Sequence, residues 1–246
     1  MIRDPVSSRW PDRPVQIDGR ATEWSDNPVL QEEGFSFRAM NDASNLYLLI
    51  GGETREEEMV LSGKYRQDVT LWFVKPDETS RTWGINLDFN HIHPPETSTD
   101  TAHPTPVTLS SIGVVPEWVN AQGLVLSTAS LPAGLELQDN LFHQNGQPSL
   151  YEIKIPLGLI EHQAHSILLD FVTSQVNPDV IKRLQSDAAG QRSNVNGDGD
   201  ASGGDAGGGR HHKGGGSKGG SHSPSIEAPN PVDLHLEISL TQELKR

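Results

Sequence analysis

The sequence predicts an all-β fold. Three observations carry that prediction: apolar residues recur at every second position over short segments, turn residues separate nearly all of these segments, and the segments follow one another at roughly 8–12-residue spacing. Such a pattern belongs to an antiparallel sandwich or barrel. Helical periodicity is confined to Pro156–His162, room for one turn, and Pro178–Ser186, room for about two.

The strands follow in order. Phe35-Ser36-Phe37-Arg38-Ala39-Met40 alternates, and Asn45-Leu46-Tyr47-Leu48-Leu49-Ile50 is a buried strand entered from an Asn-Asp-Ala-Ser turn. Asp68-Val69-Thr70-Leu71-Trp72-Phe73-Val74 is β-branched and aromatic and stops at Pro76-Asp77. On it Val69, Leu71 and Phe73 share one face and Thr70, Trp72 and Val74 the other, since successive side chains of a strand point to opposite sides. One face is core, so Trp72 is expected to be partly exposed. Thr82–Phe89 alternates cleanly. Further strands are expected at Val114–Val119, Leu124–Ala129, Tyr151–Ile155, Ile167–Ser174 and Leu234–Leu240.

Two segments read as insertions. His91–Pro106, with four prolines and three histidines, is a long surface loop. From about Asp187 to Asn230 the chain is Gly-, Ser-, Asp- and His-rich and holds thirteen of the 24 glycines between Gly190 and Gly220. It has too little apolar surface to offset the entropy of ordering, so disorder is expected. The apolar pattern resumes at Val232, so the tract is a loop inside one sandwich domain spanning 10–245, closed by the last strand.

Lys and Arg number 19 against 33 Asp and Glu in 246 residues, a formal charge of −14. That surface repels nucleic acid and anionic membranes. No apolar run is long enough to cross a membrane as a helix. Absence of cysteine excludes disulfides, thiolate metal sites and a cysteine nucleophile. From Ile2 to Arg13 there is no apolar signal-peptide core, so the chain is cytoplasmic or a mature chain carrying a start Met.

Ile17-Asp18-Gly19 with Trp24 a few positions on, Asn41-Asp42-Ala43-Ser44-Asn45-Leu46-Tyr47, the pair Gln67-Asp68, and Tyr151-Glu152-Ile153-Lys154-Ile155-Pro156 occur in this order over 15–176. The ordered set resembles the family 9 carbohydrate-binding modules and the wider DOMON-like group. The motifs also have readings of their own. Asp18-Gly19 is turn chemistry, Trp24 plugs one end of the sandwich and needs an acceptor for its indole N–H, and Pro156 ends a strand. The resemblance implies a two-sheet antiparallel β-sandwich, no catalysis by this chain, and recognition of a polysaccharide or oligosaccharide. It also implies an extracytoplasmic place, and company with a larger glycan-active or surface assembly. Modules of this family clamp a terminal sugar between aromatics, and the aromatic before the Gln-Asp pair is Tyr65, followed by Arg66. The family's sugar-contacting carboxylate and arginine fall at Leu71 and Gly84, two lost hydrogen-bonding charges. Trp72, Trp83 and Trp118 are candidates for a different sugar surface, each set against a packing role. The alternative to sugar binding is a structural or protein-interaction sandwich that has lost the site.

Other chemistry is sparser. Asn194, Asn196, Asp198, Asp200, Ser202 and Asp205 fit the oxygen positions of a twelve-residue calcium loop with Gly199 at the sharp turn, although position 12 is Asp rather than Glu. His91 and His93 alternate in the Pro-rich loop, near His103, and His211, His212 and His222 lie in the glycine tract; nothing fixes a third ligand for a transition metal. Some DOMON-like relatives bind haem b through Met, which leaves Met40 and Met59 as candidates for a redox module. No G-x-S-x-G, Walker A or H-E-x-x-H motif is present.

Overall fold

The computed structural model describes residues 5–76, 80–89, 115–127, 132–140, 149–160, 165–195 and 226–242. Two compact units emerge, one from residues 1–176 and 229–246 and one from 177–228.

The first unit is a β-sandwich. Its seven-stranded sheet runs β1 (Val6–Ser7), β12 (Asp233–Ser239), β11 (Ser166–Thr173), β5 (Val69–Val74), β6 (Arg81–Asp88), β7 (Val115–Asn120) and β8 (Val125–Ser127). The five-stranded sheet runs β2 (Leu30–Glu32), β3 (Phe35–Asn41), β4 (Asn45–Gly52), β10 (Leu150–Pro156) and β9 (Glu136–Asn140). All neighbours are antiparallel except the short β1, parallel to β12. The terminal strand is hydrogen-bonded into the sheet from Ser166↔Ser239 to Val172↔Asp233, as expected. Leu234, Leu236 and Ile238 are buried while Asp233, His235 and Glu237 are exposed, so the period-two reading of β12 holds along its length.

The inner faces meet over Ile50, Leu71, Ile85, Tyr151, Ile153 and Phe171. Full burial of one such aliphatic side chain contributes about 1.5–3 kcal/mol. A short helix, α1 (Arg55–Leu61), sends Leu61 into this core, and its carbonyl accepts a hydrogen bond from the Tyr151 hydroxyl at 2.7 Å. Helix α1 was not expected from the sequence. Its signal is the cap Thr54 in a Thr-x-x-Glu sequence: the Thr54 hydroxyl accepts from Glu56 N and donates to the Glu57 carboxylate.

The outer face of the five-stranded sheet is covered by the N-terminal segment. Trp24, Met40, Tyr47, Leu49 and Leu150 form a buried cluster there, with Val15, Ile17 and Ala21 packed against it. Trp24 therefore does not plug an end of the sandwich: Met40, Tyr47 and Leu49 belong to the outward positions of β3 and β4, and the indole lies over them. Gly19 turns with φ of 75°, a left-handed conformation that costs glycine little, and bends the segment back onto the sheet.

In the second unit, α2 (Pro178–Val195) runs about two and a half turns beyond Ser186, past the point where disorder was expected to begin. Ala188, Ala189, Gln191 and Arg192 are good helix formers, and a single Gly190 costs only about 1 kcal/mol. Asn177 Oδ1 accepts from Asp179 N at 2.9 Å at its start, and Gln185 Nε2 donates to the Ile226 carbonyl at 2.8 Å. Residues 196–225 lie outside the described residues, as does the Pro-rich segment His91–Pro106.

Candidate functional site

With one sheet face covered by the N-terminal segment, the outer face of the seven-stranded sheet is the other large surface of the sandwich. Its residues follow from strand register. Val69, Leu71 and Phe73 face the core, so Thr70 and Trp72 face out, and their neighbours are Val172 and Asp170 on β11 and Asn86 and Gly84 on β6.

The Trp72 indole lies against the sheet over Gly84. A Cβ on residue 84 would fall 2.9 Å from Trp72 Cε3 and 3.0 Å from the Leu71 carbonyl, so only glycine leaves room for the ring. The Arg81 guanidinium sits over the ring, with Cζ 5.4 Å from its centroid. Arg81 reaches this place through an irregularity in β5–β6 pairing: Phe73 pairs with Trp83 but Val74 pairs with Arg81, and the slipped residue, Thr82, donates its hydroxyl to the Phe73 carbonyl at 3.0 Å. So sandwiched, Trp72 is only 9% exposed, less than its outward position implies.

Charged partners hold the guanidinium. Arg81 Nε donates to Asp170 Oδ2 at 2.9 Å and Nη2 to Asp233 Oδ1 at 3.3 Å. His235 Nδ1 donates to the other Asp170 oxygen at 2.6 Å. Asp170 is buried, while the His235 side chain is 76% exposed. Asp170, Asp233 and His235 bring their ligand atoms within 4.8 Å of one another, a spacing a metal ion could use. The positive charge of Arg81 already stands on both carboxylates, so the donor set fits an ion-pair network rather than a cation site. Beside it runs a hydrogen-bonded rung: Thr70 Oγ1 donates to Asn86 Oδ1 at 2.8 Å, and Asn86 Nδ2 donates to Glu117 Oε2 at 3.0 Å.

The residues expected to bind sugar are distributed differently. Tyr65 is only 4% exposed; its hydroxyl points at Met59 Sδ, 3.9 Å away, and burial pushes its pKa up. Arg66 is exposed with a left-handed φ of 49°. Trp83 lies on the core side of β6, stacked on Phe73 at 4.2 Å and 23°, with Nε1 donating to the Leu159 carbonyl at 3.0 Å. Trp118 pairs with Ile85 on that same side and meets Trp83 edge-on at 6.2 Å and 80°. Trp83 gives a face to Phe73, Trp118 meets Trp83 edge-on and Tyr65 is buried, so these three rings form no clamp; Trp72 alone of the candidate tryptophans faces outward. Leu71 is core and Gly84 lies under the indole, so neither supplies a charge. The outer face carries a guanidinium and a carboxylate all the same, from Arg81 and Asp170.

Arg81, Asp170, Asp233, His235, Asn86 and Glu117 were not among the expected residues. One signal was available: Asp170 is a lone acid inside the apolar run Ile167–Val172, and a charge there requires a partner. Met40 packs in the cluster with Trp24, and Met59 sits on α1. Asn194 falls in the last turn of α2, while Asn196, Asp198, Asp200, Ser202 and Asp205, and His91, His93, His103, His211, His212 and His222, lie outside the described residues.

No protein-family model matches the chain, and no curated protein matches it by sequence. Among solved structures it is similar to a carbohydrate binding module family 9 from Caldicellulosiruptor kristjanssonii in complex with glucose, at 12% identity and a TM-score of 0.38, over 72% of this chain and 81% of that one. The same module in complex with cellotriose is similar at 11% identity and a TM-score of 0.38, over 72% of this chain and 80% of that one.

Proposed function

We propose that this chain is a non-catalytic carbohydrate-binding domain whose recognition surface is the outer face of the seven-stranded sheet. The observation that carries the reading is the Arg81–Trp72 stack, pinned by Asp170 and Asp233 and flanked by Asn86 and His235. Sugar rings need flat surfaces beside planar hydrogen-bonding groups, and Arg, Asp, Asn and His supply donors and acceptors in fixed planes. The ion pairs hold those planes before any ligand arrives, which lowers the ordering cost of binding. Calorimetric titration of the whole chain with cello- and xylo-oligosaccharides tests the reading. Heat that is lost in Arg81→Ala supports it; no heat with any sugar at millimolar concentration overturns it.

A second reading has its own observation. Tyr65, Trp83 and Trp118 spend their rings on packing, as in a sandwich kept for structural or protein-interaction purposes after loss of a family-type clamp. It requires that every glycan titration be silent.

A further inference from the structure

Resting on the carbohydrate reading, we propose that this face takes a glycan chain lengthwise, across the strands, at internal units, and does not capture a chain end. End capture by stacking needs two rings facing each other across one sugar. Among the described residues, which hold all five tryptophans, all three tyrosines and five of the six phenylalanines, none of these rings faces Trp72. Trp24, Tyr47, Tyr65 and Tyr151 are buried in packing, and Trp83 and Trp118 lie on the core side of their strands. Trp10 follows the Arg9–Met40 bridge to the other sheet. What lies over the Trp72 ring is the Arg81 guanidinium.

The polar groups, by contrast, form a row two rungs deep across five strands. One rung holds His235 on β12, Asp170 on β11 and Trp72 on β5; the adjacent rung holds Asp233 on β12, Thr70 on β5, Asn86 on β6 and Glu117 on β7. At about 4.8 Å between strands this row is about 20 Å long, room for several sugar units rather than one. The guanidinium near its middle uses two of its five N–H donors on Asp170 and Asp233. A surface of this shape gains affinity from each added unit until the row is filled, and among the described residues it has no special group for a terminus.

The test is a calorimetric series on the full chain with cellobiose, cellotriose and cellohexaose and their xylose counterparts, each native and after borohydride reduction of the reducing end. The expected result is affinity rising about tenfold or more from disaccharide to hexasaccharide, a hexasaccharide Kd changed less than about twofold by reduction, and about tenfold weaker binding in Arg81→Ala. Circular dichroism checks that this variant is folded. Binding abolished by reduction, or a disaccharide bound as tightly as the hexasaccharide, would overturn lengthwise binding while leaving the carbohydrate reading in place. Silence with every sugar removes both.

Discussion

The indole Nε1 of Trp24 donates a 2.6 Å hydrogen bond to Oε1 of Glu152, a residue 128 positions later in the chain. The other oxygen, Oε2, accepts from Gly19 N at 2.7 Å and Asp18 N at 2.9 Å. The Asp-Gly turn, the tryptophan and the late Glu-x-x-Ile-Pro strand are therefore one physical unit. It fastens the N-terminal segment to the five-stranded sheet through one fully buried carboxylate.

Removing that carboxylate strands three donors. Each unpaired buried donor costs about 1–3 kcal/mol, and the three are coupled. Glu152→Ala is expected to lower stability by about 3 kcal/mol, or Tm by about 6–12 °C for a domain of this size. Glu152→Gln, which turns an NH2 toward an N–H, should lose about 1–3 kcal/mol. Thermal denaturation with both variants checks this, and an unchanged Tm in Glu152→Ala would contradict it.

The same group sets an unusual pH dependence. Burial pushes the Glu152 carboxyl above its ordinary 4.5, and the bonds from Trp24, Gly19 and Asp18 offset only part of that shift. A carboxyl raised on folding holds its proton more tightly in the folded chain than in the unfolded one. Its ionisation costs stability above the folded value, and that cost disappears as pH falls through the folded value toward 4.5. Asp42 has the opposite sign. Burial pushes it up, but donors on Tyr47, Ser44 and Asn45 outweigh that and hold it below 3.8. Its contribution is present above pH 3.8 and is lost as pH falls through the lowered value. In urea titrations across pH, the wild type should pull further ahead of Glu152→Gln as pH is lowered to 4.5. Its lead over Asp42→Asn should shrink below 3.8.

Gly84 is the floor on which the candidate site rests. A methyl group there would fall within 3.0 Å of both the ring and the Leu71 carbonyl. Gly84→Ala is expected to cost about 1–3 kcal/mol by overpacking and to displace the indole from beneath Arg81. A stability loss with altered tryptophan fluorescence and weakened glycan binding is the predicted combination; a silent substitution would contradict the geometry.

Tyr65 separates packing from recognition. Tyr65→Phe keeps the buried ring and gives up only the contact to Met59, so glycan affinity should stay within about twofold. Tyr65→Ala should lose about 3–5 kcal/mol of stability through the cavity it leaves. A Tyr65→Phe variant that is stable but no longer binds sugar would put the recognition surface elsewhere.

The strands were legible because their alternation is local. Val69, Leu71 and Phe73 had to share a side, and β12 announced itself by resuming a period of two after the glycine tract. Edge strands β2 and β9 were missed, since three to five residues with little apolar patterning give no periodic signal. The candidate site was harder. Trp72 could be placed outward, but its burial depends on Arg81, whose position follows from a pairing slip between β5 and β6 that no residue pattern displays. Tyr65 looked like a ligand aromatic from the Gln-Asp pair after it, yet the turn from α1 through Gly63, at φ of 68°, carries it into a buried position. Asp170, Asp233 and His235 lie 65 positions apart at the widest and meet only through β11–β12 pairing.

The most direct measurement is the five-signal tryptophan indole region of a ¹⁵N NMR spectrum during titration with cellohexaose or xylohexaose. The outer-face account predicts that the Trp72 indole shifts, in step with Arg81 side-chain signals, while those of Trp24, Trp83 and Trp118 stay in place. Movement of the Trp83 or Trp118 indole with Trp72 fixed, or a spectrum indifferent to either sugar, would contradict it.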